Sequence, residues 1–235
     1  MSKPCIMTEN KPSRNGKYNI YRNDSVKSQT PKTDKVYQKM GQKIVLEGLI
    51  PGSTIFYFGS GKRDFTKSIL SMDRAYGKLE NNGVAKVDKN GKAVAYLKCP
   101  QLYVNYDGKV YSRHMHFLYW NNEKKKWNKD LYTQHVLCNV DGTFVKKHAK
   151  SAILICAESE KDFEKDHIEG SISLSYKKKW TSKEIIEKIK EIKPKYNGNK
   201  LVPIIIYCHK NHGEGECLYK KLNKLGFYNT MHYKW

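Results

Sequence analysis

This sequence is short of arginine, of acidic residues and of long apolar runs. Only five of its 44 cationic side chains are arginine, scattered at positions 14, 22, 63, 74 and 113. The guanidinium fork is the group that grips phosphates and guanine edges bidentately, so diffuse lysine charge argues against base reading and for nonspecific attraction. Acids number 23, which leaves a formal charge of +21. No apolar stretch reaches membrane length and no secretory leader is recognisable, so the expectation is a soluble cytoplasmic or intracellular protein with no membrane partner. The six cysteines (5, 99, 138, 156, 208 and 217) lack the close spacing of a disulfide-stapled small domain. Reduced thiols are therefore expected.

The positive charge is uneven. Residues 148–235 carry 17 basic and 11 acidic groups, net +6, and the first 147 carry 27 and 12, net +15. Residues 1–40 are rich in Lys, Asn, Ser, Thr and Pro without a sustained hydrophobic period, the composition of a basic, disordered tail. Such a tail attracts nucleic acid or acidic protein nonspecifically. Its tyrosines, Tyr18, Tyr21 and Tyr37, are a weak sign of stacking on single strands. Abundant Lys, Asn, Ile and Tyr also fit a coding sequence from an AT-rich genome, of the kind giant DNA viruses have.

Residues 41–147 change character. Short β-branched and aromatic runs at 43–47, 54–58, 84–87, 92–99, 110–120 and 131–140, separated by turn residues, predict an all-β sandwich domain. Asp88-Lys89-Asn90-Gly91 reads as the turn of a hairpin. His114 and His116, two apart on a predicted strand, project from one face, and His135 lies on a neighbouring strand. Three imidazoles so arranged are a candidate zinc or copper site. The competing reading is a half-exposed histidine and tyrosine face with no metal.

The most informative stretch is in the last third. Pro203-Ile204-Ile205-Ile206-Tyr207-Cys208 is a β-branched run with a cysteine at its carboxyl end, where open α/β sheets place ligands. A loop follows (His209, Lys210, Asn211, His212, Gly213, Glu214), and then apolar residues at 218, 222 and 225 before Gly226 predict an amphipathic helix. Loop N–H groups, the helix start and the cationic His209, Lys210 and His212 would favour a thiolate at Cys208. The bland alternative is a buried structural cysteine.

Upstream, Ile153-Leu154-Ile155-Cys156-Ala157-Glu158 leads through an acidic turn to Phe163, His167, Ile168 and Gly170. This strand, turn and "Glu-x-x-x-His-Ile-x-Gly" segment resemble the rhodanese family, as do the strand, loop and helix around Cys208. The resemblance covers residues 148–235 and implies a C-terminal α/β domain with a parallel sheet. It further implies a sulfurtransferase in which Cys208 takes sulfur from a donor as a persulfide and hands it to an acceptor thiol, with no required cofactor. Where the family has Asp-Val-Arg, this chain has Cys156-Ala157-Glu158, so the family's ion pair cannot form. The alignment puts Cys156 beside Cys208 as a candidate resolving thiol. No arginine closes the loop, and Glu214 and Glu216 repel dianions, which disfavours phosphoryl chemistry. A second reading is a noncatalytic rhodanese-like interaction module in a packaged or structural protein, such as a giant-virus virion protein, with its basic tail on nucleic acid.

Overall fold

The computed structural model describes residues 41–61, 70–77, 79–175, 179–192, 198–209 and 213–235. The expected tail at 1–40 and the loop residues Lys210, Asn211 and His212 lie outside the described residues. The chain divides into two compact units at Val136/Leu137, whereas the extent of the family resemblance sets the expected boundary at 147/148.

The first unit is built mainly from strands. A sheet of order β10-β8-β2-β4 unites β10 (Tyr132–His135), β8 (His114–Asn121), β2 (Thr54–Gly59) and β4 (Asn82–Lys86), with β9 (Lys126–Trp127) added to β8. These pairings are all antiparallel. Two smaller sheets join β1 (Gln42–Leu46) to β5 (Ala93–Leu97), and β3 (Leu70–Ser71) to β6 (Tyr103–Val104) and β7 (Val110–Tyr111). The expected strands form as β1, β2, β4 and β5, the run expected as one strand at 110–120 divides into β7 and β8 in different sheets, and the expected hairpin does not form. Asp88 caps its turn by accepting from the N–H groups of Asn90 and Lys92 through Oδ1, both at 2.8 Å. The flanking strands then part, β4 pairing with β2 and β5 with β1. Gly91 has φ 73°, and a Cβ there would lie 2.7 Å from the Leu49 carbonyl oxygen, so this close turn requires glycine. Helix α1 (Met72–Tyr76) had no sequence signal; Met72, Ala75 and Tyr76 pack with Phe56, Phe58, Tyr103 and Leu118 in the core of this unit.

The second unit is a parallel sheet of order β11-β15-β14-β12-β13. Its strands are β11 (Asn139–Val140), β12 (Ile153–Cys156), β13 (Ile172–Ser173), β14 (Ile204–Cys208) and β15 (Thr230–Lys234), and every pairing among them is parallel. The run expected as one strand at 131–140 is therefore two, with β10 in the first unit and β11 in the second. Every residue of β12 and β14 is buried, as the unbroken apolar runs require of central parallel strands.

Among the described residues, four helices complete the second unit: α2 (Gly142–His148), α3 (Glu160–Lys165), α4 (Ser182–Ile192) and α5 (Glu214–Lys224). Asp141 and Ser159 cap α2 and α3 by accepting from the N–H groups of Phe144 and Asp162. Helix α5 buries Leu218, Tyr219 and Leu222, each buried leucine contributing about 1.5–3 kcal/mol. It ends where Gly226 takes φ 89° and the Phe227 N–H returns to the Leu222 carbonyl.

Candidate functional site

Cys208 ends β14, and the chain re-enters the described structure at Gly213, whose φ of 73° turns it into α5. The first turn of that helix lies over the sulfur, with the Gly215 N–H hydrogen-bonded to it and the buried Glu214 carboxylate nearby. Cys208 is only 3% exposed. Burial pushes its thiol up to about 11, the Glu214 charge adds to the rise, and the Gly215 N–H works against it. Burial and the carboxylates of Glu214 and Glu158 therefore oppose the expected thiolate, and of the expected loop cations Lys210 and His212 lie outside the described residues.

His209 does not serve the sulfur. Its backbone N–H and Nδ1 donate to the two carboxylate oxygens of Glu158, each at 2.7 Å, and its Nε2 lies 3.3 Å from Asp166. The Trp235 ring covers the imidazole at 3.9 Å between centroids. Glu158, 3% exposed, therefore clamps the first loop residue with two hydrogen bonds. The segment that carries His167 and Gly170 docks on the same strand. Tyr207 accepts from the Ile168 N–H at 3.0 Å, and its hydroxyl lies 2.6 Å from Ser171 Oγ.

On the other side of Cys208, the His232 Nε2 stands 3.6 Å from Sγ. Its Nδ1 is 3.1 Å from Asn139 Oδ1, and its backbone N–H donates to the Cys138 carbonyl. Burial lowers His232 to about 4, and Lys234 lowers it further. Gly215 lies so close to the ring that an added Cβ would stand 2.5 Å from both Cδ2 and Nε2. Sequence reasoning missed His232, Asn139 and Gly215 as site residues. The order of strands brings them together, and no spacing along the chain encodes that order.

Two cysteine expectations are corrected. Cys156 pairs in register with Tyr207, so its side chain shares the Tyr207 face of the sheet, beside the Tyr207 hydroxyl. Cys208, the next residue on β14, points to the opposite face. Thiols directed apart cannot be bridged without backbone movement, and Cys156 is not placed as a resolving thiol. Both are free, whereas Cys99, Cys138 and Cys217 are disulfide-bonded rather than reduced.

In the first unit the three histidines do share one face. The His114 and His116 rings are 4.8 Å apart, and His135 is the register partner of His114. Both nitrogens of His114 are engaged, Nδ1 with the Ser112 carbonyl at 2.6 Å and Nε2 with the Tyr103 and Tyr76 hydroxyls at 2.9 and 3.2 Å. His116 Nδ1 meets Thr133 Oγ1 and His135 Nδ1 meets Ser112 Oγ. Among the described residues, no group of three or more His, Cys, Asp or Glu is placed to hold a metal ion.

Burial holds His114 down to about 4 and His116 well below its usual value. The unfolded chain protonates these imidazoles first, so stability is present above about pH 6.5 and is lost as pH falls towards 4. For His114 that loss is about 3 kcal/mol. A lower urea midpoint at pH 4.5 than at pH 7 is the expected measurement, and equal midpoints would contradict it.

Among the described residues, no helix is long and apolar enough to cross a membrane. No curated protein matches the chain. Residues 143–235, which hold the parallel strands from β12 to β15, Cys208 and helix α5, match the family model of the rhodanese-like domain, and this C-terminal part of the chain is a rhodanese-like domain.

Proposed function

We propose that this domain moves sulfane sulfur through a persulfide on Cys208. The observation that carries the reading is the position of the sulfur. It lies at the carboxyl end of the central strand, under the first turn of α5 and against the Gly215 N–H, within a region that matches the rhodanese-like family. The thiol gives up its proton and Sγ attacks the outer sulfur of thiosulfate or a persulfide donor. The donor S–S bond breaks, and sulfite or a thiolate leaves with the electron pair. An acceptor thiolate then attacks the outer sulfur of the persulfide and releases the Cys208 thiolate. The +15 excess on residues 1–147 suits an acidic acceptor protein.

The interaction-module reading draws on the same burial, since a thiol raised to about 11 is not a resting nucleophile. Incubation with thiosulfate followed by peptide mass spectrometry separates the two. A sulfur added to the Cys208 peptide, with thiocyanate released by cyanide, supports transfer. Its absence with both thiosulfate and persulfide donors leaves the binding module.

Glu214→Gln is expected to bring the thiol down from about 11 and to speed loading from thiosulfate several-fold more than loading from an uncharged trisulfide. The reason is that a carboxylate beside the sulfur opposes both the thiolate and an anionic donor. Equal gains for the two donors would show that charge at the mouth is not selective.

A further inference from the structure

We infer that His232 is the proton acceptor for Cys208 and that Asn139 is the residue that orients it, a cysteine, histidine and asparagine relay laid across three neighbouring strands. The inference rests on the sulfur-transfer reading for its substrate, although the relay itself can be tested without one.

The alignment follows from the parallel ladder. Asn139 on β11 is the register partner of His232 on β15, and His232 is the partner of Ile206 on β14. Cys208 is two residues beyond Ile206, so the period of two returns it to the same face as His232 and Asn139. The contacts of 3.1 Å from Asn139 Oδ1 to Nδ1 and 3.6 Å from Nε2 to Sγ lie along this line. An amide oxygen can only accept, so Nδ1 carries the proton and the Nε2 lone pair faces the thiol. Strand backbones rather than loop side chains set these positions, and Gly215 allows α5 to close directly over the ring. A thiol, a base and a group that orients the base are the parts of an activated nucleophile.

The groups facing the pair explain why activation is needed. Glu214 from α5, Glu158 after β12 and Cys156 on β12 all act to raise Cys208, and Lys234 on β15 acts with burial to lower His232. Thiol and imidazole are both uncharged at rest, and the proton moves as the sulfur attacks. With thiosulfate, the S–H bond breaks and an N–H bond forms at Nε2 while Sγ bonds to the sulfane sulfur. The donor S–S bond then releases sulfite, which takes the proton from the imidazolium. The products are a persulfide anion and hydrogen sulfite, and no oxidant or reductant is consumed.

The experiment is the pH profile of Cys208 alkylation by iodoacetamide in the full chain, with peptide mass spectrometry separating Cys208 from Cys156. An imidazole acceptor that stays neutral down to about pH 4 makes the wild-type rate nearly flat from roughly pH 5 to 9. In His232→Gln the reaction depends on free thiolate alone and rises about tenfold per pH unit, falling at least about a hundredfold below wild type at pH 6. Asn139 is exposed, so Asn139→Ala leaves the fold intact and lowers the plateau roughly tenfold, and Asn139→Asp, which keeps the acceptor, restores it. If His232→Gln does not fold, the wild-type profile and the Asn139 pair still decide the matter. A wild-type rate that climbs about tenfold per unit over the same range, or a plateau unmoved by Asn139→Ala, overturns the relay. A flat profile in a protein that forms no persulfide upholds the relay and removes the sulfur-transfer reading. Persulfide formation with a thiolate-type slope does the reverse.

Discussion

Replacing Cys208 by serine is expected to abolish persulfide formation and cyanide-dependent turnover outright. The serine hydroxyl has nearly the volume of the thiol, and the Gly215 N–H and the His232 Nε2 that meet Sγ can both serve an oxygen. Burial is therefore compensated and the melting temperature should change little. What disappears is the nucleophile, because an alcohol at neutral pH has neither the thiolate fraction nor the polarisability needed to attack sulfane sulfur. Cys156 remains as an internal control, since it is free but turned to the other face of the sheet, and its thiol is raised by burial and by the nearby Glu158. Mass spectrometry of the variant after thiosulfate treatment should find no added sulfur on the Cys156 peptide. A persulfide there, or undiminished turnover, would move the chemistry away from Cys208.

The Gly215→Ala variant is expected to lose both stability and persulfide loading through a single added methyl group. A Cβ at this position would stand 2.5 Å from two atoms of the His232 ring. The ring cannot swing aside freely, because Asn139 holds Nδ1 and the His232 N–H is tied to the Cys138 carbonyl. Either α5 lifts from the sheet or the ring leaves the sulfur. Overpacking of this kind costs about 1–3 kcal/mol and should lower the melting temperature by several degrees. Persulfide loading should fall at least about tenfold, because a displacement of about an ångström is enough to misalign a reacting pair. Adding His232→Ala to Gly215→Ala should recover stability by making room for the methyl, yet leave loading low. Wild-type stability and loading in Gly215→Ala alone would show that the first turn of α5 is not held against the ring.

Much of the fold could be read from the residues. The unbroken apolar runs at 153–155 and 204–206 specify strands buried on both faces, and a parallel sheet is the arrangement that buries them so. The apolar period at 218 and 222 with the Gly226 stop specified α5 and its core face. Reading failed where partner choice outweighed local pattern. The Asp88 turn formed as its residues dictate, although its flanking strands joined different sheets. Leu131–Val140 looked like one strand and split at Val136, because its two halves pair with strands far apart in sequence. Helix α1, five residues long, is held by Met72, Ala75 and Tyr76 in the core rather than by a side-chain cap or a period of its own.

At the site the division is similar. The sequence alone determined that Cys208 ends a buried strand before a helix, that acids rather than an arginine flank the loop, and that His114 and His116 share a face, because each of these is a local or period-two property. Tertiary structure decided which groups raise the Cys208 thiol, because burial and the Glu214 carboxylate depend on how α5 closes over the strand. It also decided that Glu158 holds His209, that Cys156 faces away, and that Asn139 and His232, 93 positions apart, meet beside the sulfur. Parallel pairing joins residues with no fixed separation along the chain. Which imidazole reaches the thiol is thus set by strand order.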